Sequence, residues 1–171
     1  MHKFDLAECF LQVRNGDREA FSAIYNEYKQ PVFTVIFRIV QSKEMAEDIM
    51  QDVFVKLFTS PPDETVKNPR GWIFQIARNL SIDALRKKTH LNIEDIELIA
   101  DEESEMVWFR MDIEFAMKKL SVIEREILSL YINAGLGFRE VSHIVGLSIP
   151  AVYRKYRKAI KTLQKLLGGD A

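Results

Sequence analysis

The sequence predicts an all-α protein made of two small helical domains joined by an acidic linker. The chain has 171 residues but only 7 Gly and 5 Pro, so few turns interrupt it. Apolar residues recur at helical spacing through roughly the first ninety residues and again through the last third. Between these regions, residues 89–105 contain seven acidic residues and no Lys or Arg, and they show no clear period.

The N-terminal region begins with three predicted helices. The first covers Leu6–Val13, and Asp17 is placed to cap the second. Pro31 fits the first turn of a separate third helix over Val32–Val40, because a proline in that position loses no intrahelical hydrogen bond.

The next predicted helix carries the clearest pattern in the sequence. It runs from Ser42 to about Phe58, and its apolar stripe consists of Ala46, Met50, Val53 and Leu57. The opposite face carries Glu44, Asp48, Gln51, Asp52 and Val55. A further helix follows Asn68-Pro69 and extends from Gly71 to about Lys88.

The C-terminal region is predicted to contain four helices. The first covers Met106–Leu120, and Ser121 is placed to cap the second, Val122–Asn133. A short amphipathic helix over Phe138–Val145 and a long helix from Ile149 to about Leu167 complete the chain.

The last two helices have the pattern of a helix-turn-helix. Gly146 suits the turn between crossed helices because glycine tolerates positive φ, and Ser148 is a natural N-cap. One face of the long helix is apolar and consists of Val152, Tyr156, Ala159, Ile160 and Leu163. The opposite face consists of Pro150, Arg154, Arg157, Lys158 and Lys161.

The charge of this long helix predicts contact with duplex DNA. Residues 149–165 contain six basic residues and no acid, although the net charge of the whole chain is -1. A helix of this kind can enter the major groove, where Arg reads guanine and Lys mostly neutralises phosphate.

Other patterns limit the function classes. Three His and the single Cys9 do not form a metal-binding pattern, and phosphate-loop and nucleophile-elbow motifs are absent from the sequence. The sequence therefore predicts no enzyme activity, no metal, no cofactor and no small-molecule substrate. The N-terminus lacks a signal-peptide run, and no stretch approaches the ~18 apolar residues that cross a bilayer. We expect a cytoplasmic protein.

Four segments resemble motifs of a known family. GDREAFSAIYNEY, AEDIMQDVFVKLF and NPRGWIFQIARNLSIDALRKK occur in this order in the N-terminal half, and LSVIEREILSLYINAGLGFREVSHIVGLSIPAVYRKYRKAIKTL follows near the C-terminus. They resemble regions 2 and 4 of RNA polymerase sigma factors, and the lack of region 1 and of a full region 3 is typical of the extracytoplasmic-function (ECF) subfamily. The resemblance assigns residues 1–90 to region 2, 91–111 to the acidic linker and 112–171 to region 4.

The resemblance implies a role for each surface in directing core RNA polymerase to promoters. It implies that Glu44, Asp48, Gln51, Asp52 and Val55 bind the polymerase. It implies minus-ten DNA contacts by Arg78, Asn79, Arg86, Lys87 and Lys88. It implies minus-thirty-five DNA contacts by Ser148, Pro150, Ala151, Tyr153, Arg154, Arg157, Lys158 and Lys161. By the same resemblance, an anti-sigma factor, often membrane-bound, holds the free protein, and the active protein is associated with the nucleoid.

Some positions depart from the family pattern. Ser121 stands where the family usually has Pro, which is a change of helix cap. Pro150 and Ala151 replace the usual Gly and Thr, and Tyr153 replaces a frequent Lys. These three lie at the DNA-facing start of the last helix, so they bear on which promoter sequence is recognised.

Several alternatives remain open from the sequence. A stand-alone helix-turn-helix regulator or a helical adaptor that binds only protein would share parts of the pattern. Trp72 is either a core residue or a platform on which a base stacks. The acidic linker either mimics nucleic acid in a basic channel or serves as a flexible tether.

Overall fold

The computed structural model describes residues 5–91 and 105–168. Within these ranges the chain forms eight α-helices and no strand, which confirms the predicted all-α fold class. In chain order the helices are α1 (Leu6–Arg14), α2 (Arg18–Val40), α3 (Lys43–Thr59), α4 (Pro69–Leu91), α5 (Glu105–Lys118), α6 (Val122–Ile132), α7 (Phe138–Val145) and α8 (Ile149–Leu166).

The chain divides into two compact units, Met1–Arg86 and Lys87–Ala171, and the division falls near the C-terminal end of α4. Residues 92–104, which hold most of the predicted acidic linker, lie outside the described residues. Residues 105–111, which the resemblance assigned to the linker, belong to α5. Four of these seven residues are Glu, Met or Arg, all of which have high helix propensity.

Side-chain caps begin several helices at the positions that the sequence predicts. Asp17, Ser42, Ser121 and Ser148 each accept a hydrogen bond from a backbone N–H in the first turn of the helix that follows. These N–H groups have no partner within the helix, so the caps fix where each helix starts.

Helix α2 continues through Pro31, so the prediction of a separate helix beginning there is wrong. The helix has 23 residues and includes the proline in its interior. Ile24 before the proline and Val32 and Val35 after it are fully buried. This continuous apolar stripe lies on a helix that packs against α3. Burial of each such side chain contributes about 1.5–3 kcal/mol, which together offsets the cost of about 3 kcal/mol for an interior proline.

The first unit is held together by apolar faces of its four helices. Of the predicted stripe on α3, Ala46, Val53 and Leu57 are fully buried, whereas Met50 is half-buried. Helix α1 contributes Phe10, whose ring meets the ring of Trp72 on α4 edge-to-face at 6.0 Å. Trp72 is half-buried in this contact, which favours the core interpretation of this residue.

Helix α6 is the central helix of the second unit. It packs against α7 and α8, and all seven residues of Glu124–Leu130 are buried. A cluster formed by Met117, Leu120, Leu128 and Ala159 joins α5, α6 and α8. The buried Arg125 donates a hydrogen bond from Nη1 to the backbone oxygen of Leu120 at 2.7 Å, which ties the end of α5 to α6.

None of the described helices combines the length and the apolarity that crossing a membrane requires.

Candidate functional site

Helices α7 and α8 form the predicted helix-turn-helix. Helix α7 presents Val141, Ile144 and Val145 to the core, and it ends at Gly146 in the left-handed conformation with φ 71°. Helix α8 begins at Ile149 after the Ser148 cap. The turn therefore depends on one residue that tolerates positive φ and on one side chain that caps the next helix.

The exposed face of α8 brings together three of the predicted DNA-binding cations. Arg154, Arg157 and Lys161 are all exposed, and at about 100° per residue they fall within an arc of roughly 60°. Pro150 leads the same face at the start of the helix and is also exposed. On the opposite side, Val152 is fully buried and anchors the helix in the unit.

The remaining predicted residues of α8 have other surroundings. Tyr153 lies at one edge of the exposed face, where its ring meets the Phe138 ring of α7 edge-to-face at 5.6 Å. Lys158 lies at the other edge, where its Nζ is 3.1 Å from Oε1 of Glu124 on α6. Ser148 is engaged as the helix cap, and Ala151 is half-buried. The structure thus groups Pro150 with the three cations and places the other four predicted residues at the borders of that group.

The Glu124 carboxylate joins the start of α6 to α8. Its Oε2 accepts hydrogen bonds from the backbone N–H and the hydroxyl of Ser121, both at 2.9 Å. Its Oε1 forms an ion pair with Nζ of Lys158. Burial alone would raise the pKa of Glu124, but these hydrogen bonds outweigh it and hold the pKa below its ordinary value. The carboxylate is therefore a stable anion beneath the edge of the exposed basic face of α8.

A second surface lies on α3 in the first unit. Its members are exposed and, at about 100° per residue, fall within an arc of about 100°. They are the predicted residues Glu44, Asp48, Gln51, Asp52 and Val55. Val55 lies near the middle of this arc and is 60% exposed. The surface is therefore acidic with an apolar centre.

An aromatic border next to this surface was missed in the sequence. It consists of Phe21, Tyr25, Phe54 and Phe58, whose rings meet at centroid distances from 4.8 to 6.5 Å. Phe58 is 46% exposed and follows Val55 by three residues, so it lies beside it on the helix. That spacing was visible in the sequence, but the contacts with α2 that hold the ring in place were not.

Helix α4 brings together only some of the predicted minus-ten residues. Arg78, Asn79 and Arg86 share one side of the helix at about 100° per residue, whereas Lys87 and Lys88 point to other sides. Arg78 and Lys88 are half-buried, and the other three are exposed. The Arg86 guanidinium lies 3.9 Å from the Asp83 carboxylate in an exposed pair.

Comparisons with known proteins agree with this architecture. Residues 24–90 match the family model for sigma-70 region 2. The chain is 27% identical over 150 residues to the ECF RNA polymerase sigma factor SigM of Bacillus subtilis (strain 168), covering 82% of this chain and 92% of that protein. It is 22% identical over 176 residues to the ECF RNA polymerase sigma factor SigK of Mycobacterium sp. (strain JLS), covering 96% and 91%.

Two solved structures share the fold. One is CnrH in complex with the cytosolic domain of CnrY, with a TM-score of 0.73, 20% identity and coverage of 98% of this chain and 100% of that chain. The other is the sigma factor RpoE in complex with the anti-sigma factor NepR from Bartonella quintana, with a TM-score of 0.71, 22% identity and coverage of 87% and 99%.

The similarity to SigM and SigK extends over both halves of the chain, which a stand-alone helix-turn-helix regulator would not share. The order of the motifs, the match to sigma-70 region 2 and these relatives point in the same direction. Residues 24–90 match sigma-70 region 2, and most of the chain is similar to RNA polymerase sigma factors of the extracytoplasmic-function subfamily.

Proposed function

We propose that the protein is an extracytoplasmic-function sigma factor that directs core RNA polymerase to promoters, and that it divides promoter recognition among three surfaces. The acidic face of α3 docks on core RNA polymerase, one side of α4 holds the opened minus-ten DNA, and the exposed face of α8 binds the minus-thirty-five duplex. Residues 1–90 and 112–171 then act as regions 2 and 4, joined by a linker that includes residues 92–104.

The observation that carries the proposal is the separation of charge between two exposed helix faces. The face of α8 presents Arg154, Arg157 and Lys161, and the whole helix contains no acidic residue. The face of α3 presents carboxylates and one amide. A polyanion is attracted by the first face and repelled by the second, so DNA and a basic protein surface are the matching partners.

The α3 face has the composition of a protein-binding surface. Exposed single ion pairs contribute only about 0.2–1 kcal/mol each, so carboxylates alone would bind weakly. Val55 and the aromatic border supply exposed apolar area beside the charges. Aromatic residues surrounded by polar groups are enriched among the residues that dominate protein interfaces.

On α4, we propose that Arg78, Asn79 and Arg86 contact the displaced strand. Single-stranded DNA is held by cations along its backbone and by aromatic side chains on which bases stack. The shared side of these residues supports a continuous contact. Lys87 and Lys88 point elsewhere on the helix, so they contribute general attraction to the backbone.

The partners follow from this division. Core RNA polymerase and promoter DNA are the main partners, and the protein acts without chemical catalysis of its own. An anti-sigma factor is a further partner, a proposal supported by a similar solved structure that contains one. We place the free protein in the cytoplasm and the active complex on the nucleoid.

The polymerase contact is tested by binding to purified core RNA polymerase. The variant Asp48→Asn/Asp52→Asn removes two charges and keeps side-chain size and helix propensity nearly constant. We expect its affinity to fall about two- to thirty-fold, the combined effect of two partly exposed ion pairs. The readout is a titration of labelled core enzyme with wild type and variant.

A matched control removes the same charge elsewhere on the first unit. Glu19 and Glu27 are exposed on α2, and Glu19→Gln/Glu27→Gln should leave polymerase affinity within about two-fold of wild type. Equal losses in both double variants would show that only net charge matters and would remove α3 as the docking surface. A wild type that binds DNA but never binds core polymerase would overturn the function itself.

A further inference from the structure

The contact between Glu124 and Lys158 separates Lys158 from the other cations of α8. The Lys158 side chain is 76% exposed, but its Nζ lies 3.1 Å from a carboxylate oxygen of a side chain that is 7% exposed. Lys161, one turn later on the same helix, has no acidic partner within ion-pair distance among the described residues. One lysine of the recognition helix is therefore directed back to its own unit, and its neighbour is directed outwards.

The partner of Lys158 is fixed more firmly than a surface carboxylate. Glu124 and Ser121 form a capping box, in which each residue satisfies a backbone N–H of the other. The carboxylate oxygen that faces Ser121 is fully used by these bonds, which leaves Oε1 for Lys158. If Lys158 moved towards a ligand, Glu124 could not move with it without losing the capping hydrogen bonds at the start of α6.

The contact between Glu124 and Lys158 lies where it can fix the rotation of α8 about its axis. Helix α8 is joined to the unit through its buried face, and Tyr153 contacts α7 at one edge of the exposed face. The contact with Glu124 holds the opposite edge against α6. Rotation of α8 about its axis, which would turn Arg154 and Arg157 away from a groove, is opposed at both edges.

We propose that Glu124 and Lys158 form a positioning pair that sets the rotation of the recognition helix, and that Lys158 is not one of the cations that neutralise DNA phosphates. This inference rests on the proposed DNA-binding role of α8. It removes Lys158 from the DNA contacts that the sequence implies. It also gives Glu124, which does not touch DNA, a role in positioning α8.

The test compares the salt dependence of duplex binding in two lysine variants of the full chain. The probe is a labelled short duplex of randomised sequence, titrated over a series of salt concentrations. Loss of one phosphate contact reduces the slope of log affinity against log salt by about 0.9. Lys161→Gln should show this reduction in slope. Lys158→Gln should keep the slope of wild type but bind about two- to five-fold more weakly at every salt concentration. That loss is the range expected for a partly exposed ion pair.

A second readout is whether Glu124→Gln raises or lowers the affinity for the duplex. Removal of an acid near DNA raises affinity if the residue acts only through its charge. A glutamine still serves in a capping box, so α6 keeps its start. We expect Glu124→Gln to bind the duplex more weakly than wild type. The double variant Glu124→Gln/Lys158→Gln should lose no more affinity than either single variant. Lys158→Arg keeps a cation for the pair, so it should bind more tightly than Lys158→Gln and close to wild type.

The outcomes separate the inference from the function on which it rests. A slope reduced as much in Lys158→Gln as in Lys161→Gln would make Lys158 a phosphate contact and overturn the inference alone. Higher affinity in Glu124→Gln would overturn it as well. A wild type without affinity for the duplex at low salt would remove the DNA-binding role of α8, and the inference with it.

Discussion

Helices α3 and α8 are built alike and differ in the sign of their exposed charge. Each begins at a serine cap, buries one apolar side in its unit and exposes the other. The exposed side of α3 carries Asp48 and Asp52, whereas that of α8 carries Arg154 and Arg157. The two surfaces belong to different compact units of a chain whose net charge is only -1.

In a protein with two oppositely charged surfaces, the net charge of the whole chain gives no indication of what each surface binds. A net charge near zero gives no indication of nucleic-acid binding, yet one helix contains no acidic residue at all. In both helices the buried side fixes the helix in its unit, and the proposed function assigns the choice of partner to the exposed side.

The largest expected effect is on α8. Arg154→Ala/Arg157→Ala should weaken promoter binding by about 2–6 kcal/mol, because each arginine that contacts a base contributes about 1–3 kcal/mol. Binding to core RNA polymerase should stay unchanged, since the surface proposed to bind the polymerase lies in the other unit. Fluorescence anisotropy with promoter duplex and with labelled core enzyme measures both. Equal loss of the two activities would mean that α8 is not the recognition helix.

A charge-conserving variant is the control for this pair. Arg154→Lys/Arg157→Lys keeps both charges but loses the paired hydrogen bonds with which Arg recognises guanine. We expect its salt dependence to match wild type and its discrimination between promoter and random duplex to fall. If discrimination is unaffected, these arginines contact only phosphates.

A smaller effect is expected in the turn between α7 and α8. Gly146 has φ 71°, and a Cβ built there meets nothing within 4 Å, so the cost of Gly146→Ala is backbone strain alone. We expect a loss of about 1–2 kcal/mol in the free energy of unfolding. Urea denaturation followed by circular dichroism gives this value. Asn tolerates the left-handed conformation, so Gly146→Asn should lose less, and equal losses would contradict the strain argument.

The smallest expected effect concerns pH. The pKa of Glu124 is lowered in the folded state, so the stability that its ionisation contributes is present above its ordinary pKa of 4.5 and is lost as pH falls through the lower folded value. The difference in unfolding free energy between wild type and Glu124→Gln should therefore shrink below about pH 4.5. Thermal melts at several pH values measure this difference. A constant difference across that range would mean that the ionised carboxylate contributes nothing.

The elements that the sequence predicts correctly are those determined by local chemistry. The start of α8 follows from the Ser148 hydroxyl and from a proline in the first turn, and the end of α7 follows from Gly146. Each depends on neighbours within a few residues. The exposed face of α3 likewise follows from helical spacing alone.

The elements that the sequence misses depend on tertiary contacts. The local pattern at Pro31 predicts a helix start, but the packing of α2 against α3 keeps the helix continuous. The contact between Glu124 and Lys158 joins residues far apart in the chain, so no local pattern reveals it. The Ser121-x-x-Glu124 spacing of a capping box was the one local signal, and it indicates the cap but not the lysine.

The most direct test of the account is transcription by core RNA polymerase on fragmented genomic DNA of the source organism, with and without this protein. We expect the protein to create a small set of new transcript 5′ ends that share sequence at two upstream positions. Asp48→Asn/Asp52→Asn should lose them through weaker polymerase binding, and Arg154→Ala/Arg157→Ala should lose them through weaker DNA binding. Identical 5′ ends with and without the protein would contradict the account.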